Sequence, residues 1–172
     1  MVTALIRHKP TRDSYAKAVF SAYSNGYNTI EHIDRDGFHP HSRSPYFYNL
    51  FCNTLKAQVK DGYFFFLDDD DYVMLPCEEL EPHLDPEKAN IVQMWRGDTG
   101  PKPFEHHMDE KILVRGKVGM PCIVLHSKHK DIATFNDTEA ADYDFIRECV
   151  DKLGANWIKK ILVNSPERSY GL

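Results

Sequence analysis

Runs of consecutive apolar residues alternate with helical periodicity in the first half of the chain. Val2-Thr3-Ala4-Leu5-Ile6 and Tyr63-Phe64-Phe65-Phe66-Leu67 lack polar alternation, the pattern of strands covered on both faces in a parallel sheet. Thr29-Ile30-Glu31-His32-Ile33 is predicted as a strand between them in sequence. Tyr15, Ala18, Val19, Ala22 and Tyr23 recur at helical spacing, with Thr11 as cap and Asn25-Gly26 as stop. A polar, proline-containing loop runs from Asp34 to about Pro45. Phe47, Leu50, Phe51 and Leu55 then mark a second amphipathic helix, ended by Asp61-Gly62. This strand-helix-strand-helix-strand order predicts an α/β sheet with right-handed crossovers.

The second half is less regular. Asn90 to Trp95 reads as a strand, Gly97 to Glu110 as a mobile loop, and Lys111 to Arg115 and Pro121 to Leu125 as short strands. A helix is predicted from about Glu139 to Leu153, burying Phe145, Ile146, Cys149, Val150 and Leu153, with Gly154 beyond its end. Trp157 to Val163 is a last candidate element.

At 172 residues the chain has the size of one domain. Hydrophobic residues at 42% and charged residues at 27% are ordinary globular proportions. A formal charge of -5, with no long basic block, argues against nucleic acid as the main partner. Cys52, Cys77, Cys122 and Cys149 are scattered and predict buried free thiols in a reducing compartment, hence a cytoplasmic protein. The apolar run Val2 to Ile6 stops at Arg7, too short for a signal peptide, and no run is long enough to span a membrane.

The chemistry enters where Tyr63 to Leu67 meets Asp68-Asp69-Asp70-Asp71. An acidic run in a solvated turn is the commoner case, but here buried segments flank it on both sides, Tyr72-Val73-Met74-Leu75 following. Two carboxylates ~4 Å apart repel by ~1 kcal/mol in water and more at lower dielectric. A hard divalent cation with oxygen ligands would neutralise them. An EF-hand loop is a poor match, because its sixth position would be Val73 in place of glycine. The predicted strand ends carry Arg7-His8, Asp34-Arg35-Asp36 and Asp68 to Asp71, so polar chemistry converges where α/β sheets bind ligands. Alternation along an extended segment would put Asp68 and Asp70 on one side.

Three motifs in order resemble the family 2 glycosyltransferases. Asn53-Thr54-Leu55-Lys56-Ala57 leading through Asp61-Gly62 to Asp68-Asp69-Asp70-Asp71 is similar to that family's helix-strand-Asp-x-Asp-Asp signature. Asp36-Gly37 resembles part of its nucleotide-binding half, though Phe38 stands where a serine is usual. Ala140-Ala141-Asp142-Tyr143 is similar to its acidic-Asp-Tyr motif, with Ala141 where glutamate is frequent. The resemblance covers about residues 1 to 150. It implies a single GT-A-type, Rossmann-like domain over 1–172, with a mostly parallel central sheet flanked by helices. Residues 1–75 would form the nucleotide-sugar-binding half and 76–172 the acceptor-binding half.

The implied reaction is inverting transfer from a nucleotide diphosphate sugar, a UDP-sugar by expectation, to an acceptor hydroxyl, assisted by Mn²⁺ or Mg²⁺. By the same resemblance Asp70 is the direct metal ligand, with Asp68 and Asp71 completing the site. Arg7, Asp34 or Asp36, Lys56, Asp68 and Asp69 would meet the donor, and Lys9 and Arg168 are further candidates for its phosphates. Asp142 is the candidate base, with Asp137 and Asp144 as rivals. A glycan, glycoprotein or lipid-linked acceptor is implied, and homo-oligomerisation is left open. His39-x-His41 and His106-His107 lack a second pair at zinc spacing; His126 or His129 could add a ligand, and Trp95-Arg96-Gly97 with Phe104 could stack on a sugar. A sugar-nucleotide nucleotidyltransferase is the alternative enzyme, but Arg7-His8-Lys9-Pro10-Thr11-Arg12 has no glycine to cradle a triphosphate. A non-catalytic metal- or carbohydrate-binding module is the third reading.

Overall fold

A computed structural model describes residues 1–8, 15–33, 46 and 49–166. In chain order its elements are β1 (Val2–His8), α1 (Tyr15–Ser24), β2 (Asn28–Ile33), α2 (Leu50–Ala57), β3 (Tyr63–Asp68), β4 (Tyr72–Val73), α3 (Cys77–Leu80), β5 (Ala89–Arg96), β6 (Pro101–Lys102), α4 (Glu105–Glu110), β7 (Ile123–His126), α5 (Ala141–Leu153) and β8 (Ala155–Ser165). The strands form one sheet in the order β2-β1-β3-β7-β5-β8-β4, with β6 beside β5.

The β2-β1-β3 side is parallel throughout, as the alternation of strands and helices predicts. The remainder is mixed: β7 runs antiparallel to both β3 and β5, β8 is parallel to β5, and β4 is antiparallel to β8.

β3 is the central prop. Phe64, Phe65, Phe66 and Leu67 are all fully buried, each contributing about 1.5–3 kcal/mol of apolar burial. Phe66 packs edge-on against Phe135 at 5.0 Å and Phe145 at 5.8 Å, while Phe65 meets Tyr27 at 5.3 Å on the other face. Cover on both faces explains the unbroken apolar run. Gly62 starts the strand at φ 75°, where an added Cβ would lie 2.4 Å from the Met1 carbonyl oxygen. That carbonyl accepts the Tyr63 N–H at 3.0 Å, so the glycine lets β3 begin against β1.

β4 leaves one edge without a strand. Ser21 Oγ accepts the Val73 N–H at 3.0 Å and Asn25 Nδ2 donates to the Val73 carbonyl at 3.3 Å, so α1 covers that edge.

The helix faces differ in part from expectation. α1 buries Ala18 and Ala22, but Tyr23 is 76% exposed, one residue and about 100° further round the helix. α2 buries Cys52, Leu55 and Lys56 and leaves Leu50 exposed. Residues 97–110 hold a 3-10 turn, β6 and α4, and residues 111–115 form no strand. The Thr11 cap, Phe47 and the Asp34–Pro45 loop lie outside the described residues. All four cysteines are buried free thiols. Among the described residues no helix is long and apolar enough to cross a membrane.

Candidate functional site

The parallel register places Arg7 beside Asp68 at the carboxyl ends of β1 and β3. Arg7 Nε and Nη2 donate to Asp68 Oδ1 at 3.1 and 2.5 Å. Nη1 donates to Asn49 Oδ1 at 3.0 Å and approaches Cys52 Sγ at 4.0 Å. The arginine is 6% exposed. Burial works against its charge, but Asp68, then Cys52 and Asp142, raise its pKa above the ordinary arginine value.

The four aspartates separate because β3 ends at Asp68 and the chain turns. Asp71 N–H donates back to the Asp68 carbonyl at 3.1 Å. The extended alternation expected for Asp68 and Asp70 is therefore corrected: the peptide is bent where alternation would need it straight. Asp69, 1% exposed, faces His8 Nδ1 at 3.3 Å across strand ends. His8 in turn lies 4.0 Å from the Tyr15 ring centroid. Asp68 and the nearly buried Asp71 line a cavity of about 960 Å³, and Asp70 is not among the described residues lining it.

Asp142 joins them from the first turn of α5 and lines the same cavity. Of its rivals, Asp144 is exposed on α5, and neither it nor Asp137 is among the described lining residues. The same cavity is also lined by Arg96 at the end of β5, Lys102 on β6 and Arg115 in the loop beyond α4. Neither Lys102 nor Arg115 was singled out by sequence. Met94 and Arg96, two residues apart on β5, both line the cavity, but no local pattern marked Lys102 or Arg115.

Lys56 is placed elsewhere. Its Nζ donates to the carbonyls of Lys130 at 2.6 Å and Ala133 at 2.9 Å, and burial lowers its pKa. Asn53 exchanges hydrogen bonds with Phe135, Nδ2 to carbonyl at 2.9 Å and N–H to Oδ1 at 3.0 Å. Asn49 Nδ2 donates to the Thr138 carbonyl at 3.0 Å. Residues 49, 53 and 56 stand at helical spacing, so one face of α2 forms a polar seam along the loop that leads into α5. Lys56 Nζ thus meets backbone carbonyls, and the residue is not among the described residues lining the cavity. The seam ties the start of α2 to the loop that leads into α5, Asn49 bonding both Arg7 and the Thr138 carbonyl.

The remaining candidates among the described residues lie away from this cavity's lining. His126 pairs with Tyr63 at the amino end of β3, about 17 Å along the strand from Asp68, and its Nδ1 accepts the Lys128 N–H at 3.3 Å. His129 follows it. The Phe104 ring is covered by Lys102 Nζ at 3.6 Å, and Trp95 Nε1 donates to the Gly97 carbonyl at 2.8 Å; neither ring is among the described lining residues. Asp34, Asp36, Lys9, His39, His41 and Arg168 lie outside the described residues.

Among the described residues no group of three or more His, Cys, Asp or Glu side chains is arranged to hold a metal. Asp68 and Asp71 nonetheless present two carboxylates to one cavity. Mg²⁺ takes one or two protein carboxylates when phosphates and waters complete its shell, so this donor set fits such an ion.

No protein-family model matches the chain, and no curated protein matches it. Among solved structures it is similar to TarS of S. aureus. Against TarS 1–349 the TM-score is 0.64 at 12% identity, covering 96% of this chain and 60% of that one. Against another TarS structure the TM-score is 0.66 at 12% identity, covering 96% and 36%. Against TarS 1–349 in complex with UDP-GlcNAc it is 0.60 at 13% identity, covering 98% and 58%. The chain thus spans less than two thirds of each of these neighbours. The shared architecture is a single-domain GT-A-like fold, a central sheet flanked by helices.

Proposed function

We propose that this chain transfers a sugar from a nucleotide diphosphate sugar, a UDP-sugar by preference, to an acceptor hydroxyl with inversion at the anomeric carbon. One observation carries the reading: Asp68 and Asp71 from the end of β3, Arg7 from β1 and Asp142 from α5 share one cavity. The GT-A-like fold and the UDP-GlcNAc complex of a structural neighbour support the donor class. Residues 1–75 would carry the donor side and 76–172 the acceptor side.

Asp68 and Asp71 would hold a Mg²⁺ or Mn²⁺ beside the diphosphate, with Asp70 supporting the turn. When bound, the ion would neutralise the charge that builds on the leaving diphosphate. Arg7, fixed by Asp68 and Asn49, adds a positive charge that needs no reorganisation during transfer. Asp142 takes the proton of the acceptor hydroxyl. The freed oxygen forms a bond to the anomeric carbon as the bond from that carbon to the diphosphate breaks on the opposite side. The acceptor is a glycan, glycoprotein or lipid-linked sugar.

Thermal melting with UDP, with Mn²⁺ and with both tests this. The pair is expected to raise Tm more than the two separate shifts together, because each ligand completes the other's site on the folded state. A response to Mn²⁺ or Ca²⁺ that ignores UDP would instead indicate a metal-binding module and end the transferase reading.

A further inference from the structure

The cavity has a second pole. β6 pairs antiparallel with β5, Met94 opposite Lys102, so these two and Arg96, two residues along β5, share the cavity-facing side. The Lys102 carbonyl accepts from Cys122 Sγ at 3.4 Å, and the Gln93 amide donates to the Pro103 carbonyl at 2.9 Å. The short strand is therefore pinned, and its lysine with it.

Lys102 is only 6% exposed, yet among the described residues its ammonium has neither a carboxylate nor a hydrogen-bond acceptor. The Phe104 ring lies 3.6 Å away, with Lys117 Nζ 5.3 Å from the same ring. Burial first, then the charges of Lys117 and Arg96, lower the Lys102 pKa, and no carboxylate offsets them. Arg96 and Arg115, both exposed, form no ion pair among the described residues either.

What sets these three apart is that they line one cavity together. The chain's formal charge is -5, so acids are in surplus, and Lys88, Lys128, Lys152, Lys159 and Arg147 all have acidic partners at the surface. The lysine stem is covered while its ammonium reaches the cavity, so three cations without carboxylate partners among the described residues line one space, where an anion would find compensation. Guanidinium forks flanking an ammonium suit the oxygens of a phosphate or carboxylate.

We infer that Lys102, Arg96 and Arg115 form an anion-binding wall for the acceptor, which carries a phosphate or carboxylate beside the hydroxyl that is glycosylated. The assignment rests on the transferase reading above. The wall comes from β5, β6 and the loop beyond α4, whereas the groups assigned to the donor come from β1 and β3. An acceptor anchored there stays inside the chamber that Asp142 lines.

The test is thermal melting of the full chain with UDP and Mg²⁺, adding glucose 6-phosphate or glucose at matched ionic strength. Glucose 6-phosphate is expected to raise Tm beyond UDP and Mg²⁺, and glucose is not. Lys102→Met should remove most of that extra shift, and Arg115→Gln, an exposed loop change that leaves folding intact, should roughly halve it. Both variants should keep the UDP shift. Loss of the UDP shift in either variant would assign the cations to the donor diphosphate and overturn the proposal. So would a sugar-phosphate shift indifferent to both substitutions, or one no larger than that of glucose. If UDP itself gives no shift in the unmodified chain, the transferase reading and this assignment fall together; if UDP shifts and glucose 6-phosphate does not, only this assignment falls.

Discussion

The aspartate turn after β3 and the polar face of α2 both bury charged or amide groups near α5, yet they differ in what they face. On α2, Asn49, Asn53 and Lys56 reach backbone carbonyls of residues 130–138. At the turn, Asp68 and Asp71 line a cavity along with Arg7 and Asp142, and Asn49 belongs to both places, since it lines that cavity and bonds Arg7 as well. Both places cover polar side chains, two amides and a lysine in one and carboxylates with an arginine in the other. A polar group saturated by carbonyls braces the fold, while one directed at a cavity large enough for a ligand is available for chemistry.

Substitutions can separate the two. The largest expected effect is at the cavity: Asp142→Asn should lower transfer by about 10³-fold while the UDP-induced melting shift stays the same. Steady-state rates beside melting curves decide it, and normal turnover would remove Asp142 from the base role. Next comes Asp68→Ala, which leaves the buried Arg7 guanidinium without its carboxylate and should cost about 3–5 kcal/mol in denaturant unfolding. Lys56→Met probes the seam. It strands two carbonyls and should cost about 1–3 kcal/mol with the UDP shift unchanged; a lost UDP shift would return Lys56 to the donor site.

Within the turn, Asp71→Asn should weaken Mn²⁺-linked UDP binding on the order of tenfold, about 1.4 kcal/mol, and Asp70→Ala by less. Calorimetric titration with and without Mn²⁺ orders the two, and the reverse order would restore Asp70 as the direct ligand.

The smallest effect concerns the thiols where turn and seam meet. Burial pushes Cys52 up to about 12 from 9.0, and Cys122 and Cys149 likewise. Folded pKa values above the unfolded value mean that this part of the stability is complete below pH 9 and is lost as pH climbs from 9 toward 12. Unfolding midpoints should therefore be level from pH 7 to about 8.5 and decline above 9. Rapid thiol titration of the native protein at pH 8 would contradict the burial.

Sequence determined the parts of this protein that depend on neighbours in the chain. Tyr63 to Leu67 had to be a doubly covered strand, because an unbroken apolar run needs a layer on each side. The helix over Ala141–Leu153 and the stop at Gly154 followed from apolar spacing and a glycine. The convergence of Arg7 and Asp68 followed from parallel β1 and β3, whose carboxyl ends share one edge. Tertiary structure decided the rest. Whether Lys56 meets a phosphate or a carbonyl depends on residues 130–133, far along the chain, and no local pattern encodes that meeting. Which aspartates face the cavity depends on a bend after Asp68, since a run of identical residues carries no directional signal. The cationic wall needed β6 to fold back on β5, bringing Lys102 and Arg96 onto one face across a turn that hydrophobic periodicity could not reveal.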